Sequence, residues 1–149
     1  MQIFFGGDHA GFQLKAELIS LVEGLGFTPH DCGPFELDPN DDYPDFVLPV
    51  AQKVAATPDS RGVIIGGSGE GEAVVANRIK GVRAAVYYGG PKEIIRLSRQ
   101  HNNANILSLG ARFLINEEAK SALRLWLETD FSADPRHVRR IGKIDGENA

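Results

Sequence analysis

The sequence contains one cysteine, Cys32, among 149 residues, so it lacks an internal disulfide framework and is typical of a reducing compartment. No apolar run approaches the roughly 18 residues that a membrane-spanning helix needs, and no charged-then-apolar leader precedes Ile3. The net charge of -4 argues against binding to nucleic acid, which requires a surplus of positive charge. We therefore expect a cytoplasmic protein that binds neither a membrane nor nucleic acid.

Motifs for metals and nucleotides are also missing. The four histidines are widely separated, and neither His-Glu-x-x-His nor Cys-x-x-Cys occurs, so we expect no bound metal. The Gly-Lys-Ser/Thr ending of an ATP-binding loop is absent, and the glycine cluster lies in mid-chain, away from a first βαβ unit. Ser68 lacks the Gly-x-Ser-x-Gly setting of a hydrolase nucleophile. We expect no cofactor, and a nucleotide-binding module is the weakest of the functions considered.

The length and composition fit one globular domain over residues 1–149, ending in a polar tail at 145–149. Hydrophobic residues make up 42% of the chain and charged residues 24%, as in ordinary globular proteins. Strands are predicted at 2–5, 27–31, 63–65, 82–88 and 105–109, with helices between them. This alternation predicts an α/β fold, a three-layer α/β/α sandwich around a five-stranded parallel sheet, Rossmann-like in architecture.

In the first half of the chain, the spacing of apolar residues and the positions of proline predict the helix faces and an edge strand. The stripe formed by Leu14, Leu18, Val22 and Leu25 predicts one buried face on the first helix. Pro29 indicates that the second strand lies at an edge, because proline cannot donate to the sheet. A second helix begins at 43–44, and Pro49 is expected to kink or delay its first turns. Its predicted buried face is Phe46, Val47, Val50, Ala51 and Val54.

Four more helices are predicted in the second half. One follows the glycine cluster as far as Ile79, and the next is opened by Pro91. Asn116 and Asp134 are expected to cap the last two helices. The faces predicted to be buried in these last three helices are Ile94, Leu97, Ser98 and His101; Ala119, Leu123 and Trp126 or Leu127; and Val138, Ile141 and Ile144.

The most informative stretch is 61–80, where a β-branched strand stops at interleaved glycines before a helix begins. Successive backbone N–H groups of such a loop, at Gly67, Ser68, Gly69, Glu70 and Gly71, can converge on an oxyanion. The loop alone predicts a structural turn about as well as a phosphate cradle.

Glu72 lies in the first turn of the following helix, where the helix dipole is expected to lower its pKa and keep it ionised. An ionised carboxylate beside such a loop can remove a proton from carbon while the loop holds the developing oxyanion. The alternative is an ordinary glutamate that stabilises the start of its own helix.

Ligands of open parallel sheets bind beyond the carboxyl ends of the strands. That rule predicts one rim carrying Asp8, His9, the glycine loop, 87–88 and Arg112. Position alone fits equally well a structural interpretation in which Asp8 caps the following helix and His9 is solvated.

Basic and imidazole side chains form a further set of candidates for this rim. His101 and Asn102 end a predicted helix. Histidine at a helix C-terminus often only complements the helix dipole, and asparagine often adopts the left-handed cap conformation. Sequence position alone favours this structural interpretation over a functional one. Arg136 and Arg140 share one helix face and can reach a single phosphate, whereas a solvated basic face is the alternative.

Five separated motifs together resemble one family. They are 6–15 (Gly-Gly-Asp-His-Ala-Gly-Phe-x-Leu-Lys), 42–44 (Asp-Tyr-Pro), the loop from Gly66 to Glu72 leading to Ala76-Asn77, 98–105 (Ser-Arg-Gln-His-Asn-Asn-Ala-Asn), and 136–140 (Arg-His-x-x-Arg). In this order, across nearly the whole chain, they resemble the type B ribose-5-phosphate isomerases, a family that includes the galactose-6-phosphate isomerase subunits.

The resemblance implies a metal-independent aldose–ketose isomerase of the pentose phosphate pathway that works through a cis-enediolate. It implies a homodimer whose active sites use residues of both subunits, with pairing of dimers left open. Some members of the family use a cysteine at the end of the third strand as carbon base; that position is Gly66 here, and the sequence matches instead the members that use the glutamate, Glu72.

The resemblance also implies roles for the remaining candidates. His101 matches the residue that assists ring opening and proton transfer, and the loop from Gly67 to Gly71 matches the oxyanion cradle. Tyr43 and His137 lie within matching motifs and are further candidates, whereas Glu70 is an unusual second carboxylate and 87–90 has no close match. The implied substrate contacts are Asp8, His9 and Asn102 for the sugar, and Arg112, Arg136 and Arg140 for the phosphate clamp.

Substrate choice stays open at this point. The same residues suit isomerisation of ribose 5-phosphate to ribulose 5-phosphate or of a six-carbon sugar phosphate of the allose or galactose type. A non-catalytic phosphosugar-binding domain is a further alternative, although a base, a shuttle and a clamp present together argue against it.

Overall fold

Five parallel strands form the centre of the computed structural model, which describes residues 1–146. The sheet order is β2-β1-β3-β5-β4, and every neighbouring pair runs parallel. The strands are β1 (Gln2–Gly7), β2 (Thr28–Asp31), β3 (Arg61–Gly66), β4 (Ala84–Tyr87) and β5 (Ile106–Gly110). The predicted five-stranded parallel sheet is confirmed, and β2, which contains Pro29, lies at an edge as expected.

Six α-helices connect and flank the strands. They are α1 (Phe12–Gly24), α2 (Pro44–Ala56), α3 (Glu70–Ala76), α4 (Glu93–Gln100), α5 (Asn116–Glu128) and α6 (Pro135–Asp145), and a single 3₁₀ turn, His9–Gly11, precedes α1. None of these helices is both long and apolar enough to cross a bilayer, a finding that covers the described residues.

Different helices bury the two faces of the sheet. Successive strand residues point to opposite faces, so Phe5 and Ile65 pack on one side while Phe4 and Ile64 pack on the other. The first face carries α1, α4 and α5, with Trp126 fully buried among them. The second carries α2 and α3. The three-layer α/β/α arrangement is therefore confirmed.

Most predicted helix faces are buried. Leu14, Leu18 and Val22 of α1 face the core, whereas Leu25 lies beyond the helix end and is exposed. In α2 the predicted face is buried except for the half-buried Phe46, and the helix starts at Pro44 without delay and continues through Pro49. The predicted inward side chains of α5 are all buried.

Four local predictions were wrong. In α4 the buried residues are Ile95, Ser98 and Arg99, while Ile94 is exposed, because the face that packs on the sheet runs through Ile95 and Arg99, four residues apart. Asn116 does not cap α5; it is the first helical residue, and its side chain donates instead to Glu17 Oε1 at 2.6 Å. The helix after the glycine loop ends at Ala76 rather than Ile79, and the fourth strand is shorter than 82–88.

The last helix also differs from expectation. Asp134 caps α6 as predicted, since its carboxylate accepts from the backbone N–H of Arg136 at 2.9 Å. The predicted apolar face is not buried, however, because Val138 and Ile144 are exposed. Asp145 belongs to α6 and pairs with Arg83 at 3.0 Å, so the predicted polar tail begins later, and 147–149 lie outside the described residues. The assignment of 1–149 to one domain stays a prediction.

The parallel sheet has two chemically different ends. At its carboxyl end, Gly7, Gly66 and Gly110 finish the three central strands side by side. At its amino end, the starts of β4 and β5 meet the segment that follows α4, where Asn105 O accepts from Gly62 N and Asn105 N donates to Arg83 O. The candidate functional residues divide between these two ends.

Candidate active site

A hydrogen bond from β5 holds the glycine loop between β3 and α3 in place. Ser108, fully buried in β5, donates its hydroxyl to Gly69 O at 2.6 Å. Gly69 adopts a left-handed conformation, with φ of 81°, as the residue that precedes α3. This conformation favours glycine and leads the chain into α3, whose first backbone N–H groups have no partner within the helix. The loop therefore has the form of an anion cradle.

Glu72 lies beside this loop and is almost completely buried, with 4% of its surface exposed. Its carboxyl group occupies the space that a side chain at Gly66 would fill, since a Cβ there would overlap Oε1, Cδ and Oε2 of Glu72. A side chain at position 66 and the Glu72 carboxyl thus exclude each other. This geometry explains why a chain with glutamate at 72 has glycine at 66.

The electrostatic state of Glu72 is opposite to the expectation from the helix dipole. Burial raises the pKa of its carboxyl above the ordinary 4.5, and the nearby charge of Asp8 raises the pKa further. The backbone N–H of Glu72 lowers it, but this effect is smaller than that of desolvation. The prediction of a lowered pKa was wrong because the carboxyl is desolvated. A raised pKa brings a carboxylate closer to the range that suits a general base.

Asp8 and His9 follow β1 at the same end of the sheet. Asp8 Oδ1 accepts from Ala10 N at 2.9 Å, so the structural interpretation of Asp8 as a cap is confirmed. His9 is not simply solvated, because its Nδ1 lies 2.7 Å from Asp41 Oδ1 and its backbone N–H donates to the same oxygen at 3.1 Å. This bond to Asp41 raises the pKa of His9, and it leaves Nε2 as the nitrogen available to a ligand.

Asp41 is the site residue that sequence reasoning missed. It lies 32 residues from His9, in a loop rich in proline, aspartate and asparagine that is typical of exposed segments. In the fold its side chain is only 6% exposed, and its Oδ2 has no hydrogen-bond partner among residues 1–146. No spacing signal links the two residues, because their contact exists only after the 33–42 loop folds back over the end of β1.

Tyr43 and Arg112 flank the glycine loop. A Cβ at Gly71 would lie 2.7 Å from the Tyr43 hydroxyl, and a Cβ at Gly67 would lie 3.1 Å from Arg112 Nη1. Glycine at these positions lets both polar side chains approach the backbone closely. Arg112 is exposed and close enough to His9 to influence its pKa, so the two form a cationic group next to the loop. Glu70 is exposed, and its N–H donates to Ser68 Oγ at 3.2 Å.

One group of side chains has donor atoms of the kind that metals bind. Among residues 1–146, ligand atoms of Asp8, His9 and Asp41 lie within 4.8 Å of one another. Asp41 Oδ1 and His9 Nδ1 are already bonded to each other, and Asp8 Oδ1 is bonded to the backbone. A metal bound through these same nitrogen and oxygen atoms would compete with these hydrogen bonds. The expectation of a metal-independent site stays a prediction.

The second set of candidates lies elsewhere. His101 and His137 stack with ring centroids 4.2 Å apart. Burial lowers the pKa of His137, and the neighbouring His101 lowers it further. Arg136 and Arg140 on the same helix are exposed, with Arg136 Nε 3.5 Å from the Asp134 carboxylate. This cluster therefore presents cationic groups around a stacked imidazole pair.

This cluster is at the amino end of the sheet, not at the rim with the glycine loop. His101 ends α4, the exposed Asn102 follows it, and Asn102 O accepts from Arg83 Nε just before β4 begins. The left-handed residue of this turn is Asn103, with φ of 46°, rather than Asn102. A five-residue strand spans about 16 Å, so β5 alone separates the two ends by that order of distance. The expectation of a single rim was wrong for His101, Asn102, Arg136, His137 and Arg140.

The two clusters have complementary chemistry. The carboxyl end offers a buried carboxylate with a raised pKa, a cradle of N–H groups, and His9 with Arg112 as cations. The amino end offers imidazoles, an exposed amide and two exposed guanidinium groups. Neither cluster alone contains a base, an oxyanion cradle and a two-arginine clamp.

Comparisons with known proteins find one family that covers nearly the whole chain. The family model described as Ribose/Galactose Isomerase matches residues 3–144. Ribose-5-phosphate isomerase B from Mycolicibacterium paratuberculosis is 42% identical over 141 residues, covering 95% of this chain and 87% of the relative. A putative sugar phosphate isomerase of Bacillus subtilis is 35% identical and covers 97% of this chain and 95% of the relative.

Solved structures are similar over almost the whole fold. Ribose-5-phosphate isomerase B from Mycoplasma genitalium, determined with bound ribulose-5-phosphate, superposes with a TM-score of 0.93 at 39% identity, covering 98% of this chain and 95% of that one. The corresponding enzyme of Clostridium thermocellum has a TM-score of 0.92 at 38% identity, covering 99% and 97%. The family resemblance seen in the sequence is confirmed. The chain belongs to the ribose/galactose isomerase family.

Proposed function

We propose that the protein is an aldose–ketose isomerase that interconverts ribose 5-phosphate and ribulose 5-phosphate through a cis-enediolate, in the cytoplasm and without a metal or cofactor. The relatives that cover most of the chain carry this activity in their names. The observation that carries the mechanism is the buried Glu72 carboxyl with a raised pKa, which lies directly against the glycine loop.

In this mechanism Glu72 moves the proton between the two carbons of the reacting pair. The N–H groups of the loop and of the start of α3 stabilise the negative charge that develops on the substrate oxygens. Burial keeps water away from the carboxylate, which strengthens both interactions. Glu72 stays close to the loop because Gly66 leaves room for it.

We further propose that the active site is shared between two copies of the chain in a homodimer. Within one chain Glu72 and His101 lie at opposite ends of the sheet, so a single copy cannot bring both to one substrate. A two-fold axis that places the glycine loop of one copy against His101 and the first turns of α6 of the other would complete two sites at once. His101 and Asn102 would then act in ring opening, and Arg136 and Arg140 would hold the phosphate together with Arg112.

Exposed apolar side chains support this assembly. At the carboxyl end, Tyr88 and Phe113 contact each other, with ring centroids 5.8 Å apart, and both are exposed. At the amino end, α6 exposes Val138 and Ile144. A dimer in which the carboxyl end of one sheet meets residues at the amino end of the other would bury both sets of apolar side chains.

Subunit complementation tests the shared site. Glu72→Gln and His101→Ala are each expected to abolish turnover in a homodimer, for different reasons. When the two variants are unfolded and refolded together, half of the dimers are mixed and one of their two sites is intact, so about a quarter of all sites regain activity. Refolding each variant alone is the control. A mixture as inactive as its components would exclude the shared site while leaving the role of Glu72 untouched.

The preferred sugar is the second question. The family description covers both ribose and galactose isomerases, so six-carbon substrates are the competing proposal. Turnover of ribose 5-phosphate, allose 6-phosphate and galactose 6-phosphate by purified protein separates them, and ribose 5-phosphate is expected to give the highest kcat/KM. Binding of all three without turnover would favour a non-catalytic phosphosugar-binding protein.

A further inference from the structure

A cavity of about 380 Å³ opens at the amino end of the sheet. It lies between the 57–60 loop, the start of β3 and the segments that precede β4 and β5. Three arginines line it: Arg61, Arg83 and Arg99. None of the residues assigned to the proposed isomerase site lines this cavity.

Two of these arginines are buried, Arg61 with 8% and Arg99 with 6% of its surface exposed. Arg61 Nη1 donates to Trp126 O and Leu127 O, each at 3.0 Å, and Arg99 Nε donates to Thr129 O at 3.1 Å. These bonds satisfy carbonyl groups around the end of α5. No carboxylate in residues 1–146 lies within 4.0 Å of either guanidinium group.

Arg83 completes the lining with a partly satisfied guanidinium group. Its Nη1 pairs with Asp145 at 3.0 Å, and its Nε donates to the Asn102 and Asn103 carbonyl groups. In all three arginines Nη2 forms no hydrogen bond within the described part of the chain. Each Nη2 carries two N–H donors, so the arginines offer a surplus of charged donors where they line the cavity.

The charges are close enough to influence one another. Burial, followed by repulsion from Arg61, lowers the pKa of Arg99 to about 10, and Arg83 contributes in the same direction. Asp59 is the carboxylate that lines the cavity, and Asp130 acts on the buried pair from outside it. Desolvated positive charges without a contacting carboxylate are costly, and a bound anion would reduce that cost.

The buried guanidinium groups are held in place by packing as well as by hydrogen bonds. The Trp126 ring lies 5.2 Å from Arg61 Cζ and 5.8 Å from Arg99 Cζ. Cation–π contacts of this kind fix both groups before any ligand arrives. Affinity for a ligand therefore does not require the two side chains to become ordered on binding.

We propose that this cavity is a second ligand site, separate from the substrate site, that binds a small multivalent oxyanion such as phosphate or a phosphorylated or polycarboxylate metabolite. Guanidinium groups present paired N–H donors that match phosphate and carboxylate oxygens. The volume lies near the lower limit of about 300 Å³ for small-molecule sites, so the ligand is small.

Isothermal titration with inorganic phosphate at constant ionic strength tests the proposal. The Arg136→Ala/Arg140→Ala double variant serves as background, because the proposed substrate clamp would also bind phosphate. In that background Arg83→Gln is expected to weaken phosphate binding about 10-fold, since it removes a charged donor. Arg124→Gln, on the exposed face of α5 and outside the cavity, is the matched control and should leave the affinity unchanged.

A second substitution, expected to increase the phosphate affinity, keeps the test valid even if Arg83→Gln fails to fold. Asp59→Asn removes the competing negative charge and should tighten phosphate binding a few-fold, and asparagine tolerates the φ of 59° at this position. Titrations with citrate and with glycerol 3-phosphate then distinguish a polycarboxylate from an organic phosphate ligand. The proposal is overturned if the double variant binds none of these anions, or if Arg83→Gln and Asp59→Asn both bind phosphate as Arg124→Gln does. These readouts measure binding, so they stand whether or not the protein is an isomerase.

Discussion

Adding one methyl group at Gly66 should inactivate the enzyme without unfolding it. The new Cβ would overlap three atoms of the Glu72 carboxyl group, of which Oε2, the farthest, would be 2.5 Å away. Gly66 is not in the left-handed region of backbone conformation, so alanine creates no backbone strain there. The substitution therefore acts by displacing the proposed base.

The size of the effect follows from this geometry. Non-bonded heavy atoms approach to about 3.5 Å, so the carboxyl group has to move by on the order of 1 Å. A misplacement of about 1 Å at a reacting group can lower the rate about 100-fold. We expect Gly66→Ala to reduce kcat by about that factor, with a smaller change in KM because the arginines that hold the phosphate are untouched.

The assay compares initial rates of ribose 5-phosphate isomerisation with thermal unfolding. Gly62→Ala is the matched control on the same strand, where the added Cβ would meet Val50, Val54 and Ile106 in the core at 2.9 to 3.1 Å. Such overpacking should cost about 1–3 kcal/mol of stability while leaving kcat per folded molecule unchanged. Wild-type kcat in Gly66→Ala would refute the placement of Glu72 as base, and Glu70 would become the next candidate.

Three further predictions concern neighbouring charges. Because the folded-state pKa of Glu72 is raised, the wild type loses stability as pH rises from the ordinary 4.5 through the folded pKa. Glu72→Gln should therefore be inactive and yet have a higher Tm than the wild type at neutral pH. Calorimetry at several pH values can check this, and the Tm difference should disappear below pH 4.5. The pKa of His9 is raised mainly by Asp41, with the charges of Asp8 and Arg112 also nearby, so Asp41→Asn should lower the His9 pKa in an NMR titration. The substitution should also remove the stability that the wild type has below pH 6.5 and loses as pH rises through the raised pKa. An unchanged His9 pKa would contradict the pairing. Arg136→Ala or Arg140→Ala should raise KM for the phosphosugar about 10-fold or more with a smaller effect on kcat, and unchanged KM would assign both arginines to an ordinary solvated face.

The fold could be predicted from sequence because its signals are local. Alternating runs of β-branched residues and apolar helical stripes follow from periodicity, and Pro29 correctly marked an edge strand. The errors at α4 and α6 arose because the spacing of apolar residues marks a helix face but does not show whether the fold packs that face against the core. Val138 and Ile144 have the spacing of a core face, yet the chain leaves them exposed.

The candidate site was predictable in its residues but not in its arrangement. The glycine loop, Glu72 and Asp8 follow strands whose carboxyl ends meet, so sequence order placed them together correctly. His101 follows a helix rather than a strand, and a helix that returns across the sheet delivers its last residue to the opposite end. The pKa of Glu72 depends on burial, which the helix-dipole argument does not include.

The hydroxyl of Ser108 and the left-handed Gly69 have a kinetic consequence. A loop already bonded to the central strand has no ordering step left when a sugar phosphate arrives, so the backbone order of the loop measured by NMR relaxation should be nearly the same in the empty and the substrate-bound enzyme. Association should then proceed in one phase, without the lag of a closing lid. Replacing Ser108 by alanine would remove this hydrogen bond, and the order of the loop backbone would then depend on bound substrate.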